Sequence, residues 1–158
     1  MNSTFGEERM SAIASFIRLP QEALPILRHA ASPGNLLSAR GQVVAHYRWS
    51  GYVLATLLCF LDERRKIDLM KGGEEELAGQ IAPKLGGTCF IFTAAQKDKY
   101  LASLSADAFS KEELRDYFNK FNGTNEAVIG DAMLDGVRAF QQSLGAMEPN
   151  SVIIFSIG

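Results

Sequence analysis

The segment YRWSGYVLATLLCFL, residues 47–61, is the most apolar continuous run in the chain, and any fold must give it cover. Its apolar part, residues 51–61, is far shorter than the roughly 20 residues a bilayer span needs, so it reads as a core helix. Leu54, Leu58 and Leu61 recur at helical spacing, and Tyr47, Val53, Leu57 and Phe60 widen the stripe over most of the circumference. Such a helix must be packed on several sides. It runs into Asp62, Glu63, Arg64, Arg65 and Lys66, whose cations suit the negative end of the helix dipole.

Length and composition place that helix in one globular domain. A chain of 158 residues is long enough for a sizeable core, and 47% hydrophobic against 22% charged residues is ordinary for a folded protein. Sixteen basic and eighteen acidic side chains, with a pI near 5.7, leave no positive field to hold nucleic acid or an anionic membrane. Cys59 and Cys89 each lie inside an apolar run, which predicts buried, reduced thiols and a cytoplasmic setting. The opening MNSTFGEERM lacks the apolar centre of a signal peptide. Residues 1–10 therefore read as a mobile extension, with Met10 a candidate natural start, and residues 11–158 as the domain.

Residues 11–19 alternate, with Ile13, Ile17 and Leu19 on one face and Ala12, Ala14 and Phe16 on the other, and predict a strand. A short helix over residues 21–31 takes Pro25 in its first turn and ends at SPGN. Residues 36–46 read as a loop. After Gly72 and Gly73 the glutamates of EEELAGQIAPKL suit the first turn of another helix, and TCFIF, residues 88–92, reads as a buried strand. Thr93 with Gln96 forms a capping box for a helix over residues 94–104. Ser110 with Glu113, stapled by Phe109 and Leu114, starts the next over residues 111–118. FNKFNGTN reads as a turn, and a long helix over residues 126–144 carries Ile129, Met133, Val137, Phe140 and Leu144 on one stripe. VIIFSI, residues 152–157, predicts a central strand. The expected architecture is α+β: a small, mostly antiparallel sheet of about three strands packed with about five helices, the apolar one central and buried.

Chemical signatures are sparse. His29 and His46 form no HxxxH or HExxH pattern and no zinc spacing with a cysteine. GxSxG, Walker and Rossmann patterns are absent. No catalytic residue, metal or cofactor is predicted. Asp131 and Asp135, four apart, share one helix face with Arg138 in reach of Asp135, and read as a solvated face opposite the apolar stripe. Asn125 and Glu126 read as a helix cap or as polar groups lining a cleft. Trp49, at the start of the apolar helix, is either core or a binding anchor.

The order of motifs resembles the YfbM-like family of small bacterial proteins. The likeness rests on Met10-Ser-Ala-Ile, Arg48-Trp49, Phe92-Thr93, SKEELRDYF at residues 110–118, NEAVI at residues 125–129 and MLD at residues 133–135, with a last strand ending in glycine. It is strongest over residues 90–158. The family's histidine in the Trp-led helix has no counterpart at residues 51–54. The resemblance implies a single α+β domain and no particular reaction.

Two functions are in view. The first is a non-catalytic cytoplasmic protein-binding domain, most concretely a bacterial immunity protein that neutralises a basic toxin domain, since such proteins are small, acidic and poor in motifs. Glu74, Glu75, Glu76, Asp131 and Asp135 are its expected contact face. The second is an enzyme or binding protein for a small molecule, with Arg48, Trp49, Asn125 and Glu126 lining a cleft.

Overall fold

The structure, a computed structural model, describes residues 12–158. The expected extension over residues 1–10 lies outside them, as does the first residue of the domain. In chain order the elements are β1 (Ala14–Pro20), α1 (Leu24–His29), α2 (Pro33–Arg40), β2 (Gln42–Ala45), α3 (Gly51–Arg65), α4 (Glu75–Ile81), β3 (Thr88–Phe92), α5 (Ala94–Tyr100), α6 (Lys111–Asn122), α7 (Ile129–Gly145) and β4 (Ser151–Ile157). The chain is an α+β domain. Among the described residues it has four strands in one antiparallel sheet, ordered β2-β1-β4-β3, and seven α-helices.

The first and last strands pair along their full length, from Ala14 opposite Ile157 to Pro20 opposite Ser151. VIIFSI is therefore central, as its apolar faces predict. Pro20 closes β1 and stands directly before a single 3-10 turn, Gln21–Ala23, that leads into α1. Because alternate strand residues face opposite sides, the sheet divides two cores. Phe16, Phe92, Ile153 and Phe155 join the larger one, with α3, α6 and α7. Leu19, Cys89, Ile91, Val152 and Ile154 join the smaller one, with α1, α2 and α4. Register concentrates aromatic rings in the larger core. Phe16 and Phe90 both pair with Phe155 across the sheet, and Phe140 of α7 meets Phe155 edge-on at 5.3 Å.

Apolar residues cover α3 nearly all round, yet its boundaries shift relative to the sequence reading. Ser50 caps it by accepting a hydrogen bond from the Tyr52 N–H, so Tyr47 and Trp49 lie in the connection before it and not within it. At its other end Lys66 takes a left-handed conformation, φ 58°, and the Ile67 N–H closes back on the Leu61 carbonyl at 2.9 Å. α7 approaches α3 closely because Gly136 has no side chain; a Cβ there would stand 2.6 Å from Leu54 Cδ2.

Residues 36–46 contain most of α2 and all of β2, not a loop. Pro33 begins α2, and QVVA forms an edge strand whose Ala45 pairs with Phe16. Other helix bounds differ as well: α1 spans only Leu24–His29, α5 gives way to a 3-10 turn after Tyr100, α6 runs on to Asn122, and α7 begins at Ile129 with Val128, not Asn125, before it. Cys89 is buried but Cys59 only half so; both are free. Burial pushes the Cys89 thiol up to about 12, and burial followed by the Glu63 and Asp62 charges raises Cys59. No helix among the described residues is long and apolar enough to cross a membrane.

The box predicted at Ser110 is made in both directions, with Glu113 N–H to Ser110 Oγ at 3.1 Å and Ser110 N–H to Glu113 Oε2 at 2.9 Å. Arg65 extends it. Its guanidinium donates to Glu113 Oε2 at 2.6 Å and to the Ala108 carbonyl at 2.8 Å, and lies 4.4 Å over the Phe109 ring. One cation of the basic cluster thus ties α3 to the start of α6. The Arg65 hydrogen bond, more than the Ser110 N–H, holds the Glu113 carboxyl below its ordinary value of 4.5. A native carboxylate held low adds stability above that ordinary value and loses it as the pH falls through the lowered one. The difference in unfolding free energy between wild type and Arg65→Gln should therefore be largest near neutral pH and shrink below pH 4.5, as urea titrations at several pH values would measure.

Candidate functional site

The connection between β2 and α3 carries His46, Tyr47, Arg48 and Trp49 across α7. Tyr47 donates its hydroxyl to the Ala132 carbonyl at 2.7 Å, and Trp49 Nε1–H donates to Asp135 Oδ2 at 2.8 Å. Arg138 donates to Asp135 Oδ1 at 3.0 Å. The Arg48 guanidinium lies 3.9 Å from Oδ2 and 5.0 Å over the Trp49 ring. Burial, and after it the charge of Asp135, raises the Tyr47 hydroxyl far above its usual range, so it remains a neutral donor. A cleft of about 330 Å³ opens between this connection and α7.

Asp135 is therefore not simply a solvated carboxylate. It is the acceptor that fastens the connection to the helix. Asp135→Ala would leave the half-buried Trp49 N–H without its partner, at a cost of about 1–3 kcal/mol. Asp135→Asn keeps an acceptor oxygen and should cost less. Urea unfolding followed by the tryptophan signal would compare them.

The other expected residues are dispersed. Asp131 is paired with Lys111 at 2.6 Å. Glu75 accepts from the Gly73 N–H at 2.6 Å, Glu76 lies 3.6 Å from Arg28, and Glu74 precedes α4. α4 packs in the smaller core and α7 in the larger one, so the five carboxylates lie on helices on opposite sides of the sheet and do not form one contact face. Of the four residues expected to line a cleft, Arg48 does so, whereas Trp49 lies beside it, bonded to Asp135, and Asn125 and Glu126 take no part in its wall. The Asn119 side chain instead binds the Glu126 backbone through both N–H and carbonyl, at 2.9 and 3.1 Å. No group of three or more His, Cys, Asp or Glu among the described residues is placed to hold a metal ion.

A second surface was hidden in the sequence. Phe121, read as part of a turn, lies in the last turn of α6 and is 54% exposed. Its ring stacks on Tyr117 at 5.7 Å and 24°, and the Arg64 guanidinium stands 5.1 Å from the Tyr117 ring. With Glu63 and Lys120 they border a shallow cavity of about 260 Å³. Tyr117 is held from below by Phe60, edge-on at 5.1 Å. Its hydroxyl, 3.4 Å from Glu63 Oε2, is pushed up to about 12, first by burial and then by the Glu63 charge. The helical spacing of Tyr117 and Phe121 is visible in the sequence once α6 is extended to Asn122.

The fold and these surfaces define an α+β domain that carries a guanidinium-lined cleft against α7 and an aromatic patch on α6. Comparison with protein-family models, with curated proteins and with solved structures found no match.

Proposed function

We propose that this chain is a cytoplasmic protein-binding domain, in its most concrete form a bacterial immunity protein that occupies and neutralises a cognate toxin domain. The observation that carries the reading is the Phe121 patch. An exposed phenylalanine stacked on a supported tyrosine, beside an arginine and a lysine stem, has the composition of a binding hot spot. It stands on two helices packed into the larger core, so little ordering remains to oppose association. The partner's complementary feature is an apolar side chain seated against Phe121 and Tyr117. Glu63, Arg64 and Lys120 supply charges of both signs at the rim, so the partner need not be strongly basic there.

The product of the neighbouring reading frame is the partner to test. Expressed alone it should arrest growth, and co-expression of this chain should restore it through a complex isolated with both proteins. A neighbour that is harmless, or that forms no complex with this chain, would remove the immunity reading.

A further inference from the structure

Beyond partner binding, we propose that the cleft between the β2–α3 connection and α7 binds a small organic oxyanion, a carboxylate or a phosphate ester. Its volume of about 330 Å³ is at the size where clefts hold metabolite-sized ligands. Its charge is unbalanced. Asp135 is the one carboxylate in the lining, and both of its oxygens are engaged, Oδ2 by Trp49 and Oδ1 by Arg138. Arg48 also faces the cleft, but at 3.9 Å from Oδ2 it is beyond hydrogen-bond length, and its side chain is 80% exposed. Two guanidinium groups against one carboxylate leave a surplus positive charge without counting His46.

That surplus is geometrically prepared. Stacking over the Trp49 ring restrains the plane of the Arg48 guanidinium, and a guanidinium presents paired N–H donors that match the two oxygens of a carboxylate or phosphate. Arg138, fixed on α7 by Asp135, retains further donors toward the same space, and the Gln142 amide stands one turn along the helix. Tyr47 contributes a wall and not a hydroxyl, because its O–H is committed to the Ala132 carbonyl.

Trp49 is the only tryptophan in the chain, so its fluorescence reports this place alone. The full chain would be titrated with acetate and with methyl phosphate, ionic strength being held constant with chloride. The expected result is a saturable change with at least one anion, with a dissociation constant in roughly the millimolar range or tighter. Acetate and methyl phosphate distinguish the two ligand sources. Arg48→Gln and Arg138→Gln should each weaken binding about tenfold, while Arg115→Gln on α6 leaves it unchanged. Both cleft arginines are more than half exposed, and the indole N–H resonance confirms that each variant keeps the Trp49–Asp135 bond. No saturable change with either anion would overturn the assignment. So would a change reproduced by chloride, or equal affinity in wild type and Arg48→Gln.

Discussion

Phe155→Ala is expected to lower the unfolding free energy by about 3–5 kcal/mol, the range for removing a fully buried phenylalanine. Phe155 is fully buried in β4 and touches four rings from three elements. It stacks on Phe16 of β1 at 4.9 Å, on Phe92 and Phe90 of β3 at 5.6 and 6.1 Å, and meets Phe140 of α7 edge-on. The sheet backbone holds these neighbours in register, so the space left by the ring cannot readily collapse. For a domain of this size each kcal/mol shifts Tm by about 2–4 °C, which puts the fall near 10 °C. Ile154→Val, one residue away but facing the smaller core, should cost only about 0.5–1.5 kcal/mol. Calorimetric melting of the two variants measures the contrast. Equal losses would mean that the larger core is not organised around the aromatic row.

The second large effect is on association. Phe121→Glu should weaken the complex with the proposed partner by about a hundredfold or more, the scale of a hot-spot truncation with a charge added in its place. The folded chain should tolerate it, because Phe121 is 54% exposed and its ring rests on Tyr117 from outside. Tm should therefore stay close to the wild-type value while titration calorimetry records the lost affinity. Reversing Glu74, Glu75 and Glu76, on the opposite side of the sheet, should leave affinity nearly unchanged.

Local signals were legible in the sequence, and contacts between distant segments were not. The Ser110–Glu113 box is written within four residues and forms as read. VIIFSI is apolar on both faces because both faces of β4 are covered, which is why its central place could be inferred. β2 was missed because QVVA is short and exposed at Gln42 and Val43; only pairing with β1 makes it a strand. Trp49 reads as either core or a binding anchor, and its acceptor, Asp135, lies 86 residues further on. Asp135 itself, spaced on the polar side of its helix, gave no sign of that bond. Phe121 was concealed by the asparagines around it, which favour a turn until Gly123, at φ 66°, ends the helix one residue beyond Asn122. Asn125 and Glu126 were grouped with Trp49 as one cleft, whereas Asn119 binds the Glu126 backbone on the other side of the turn before α7.

Hydrogen exchange on the chain, free and bound to the product of the neighbouring reading frame, tests the proposed partner-binding surface most directly. The expected result is slowed exchange in the last two turns of α6, around Tyr117 and Phe121, and at the C-terminal end of α3 beside Arg64, with α4 unaffected. Protection confined to α4, or no protection anywhere on the chain, would contradict it.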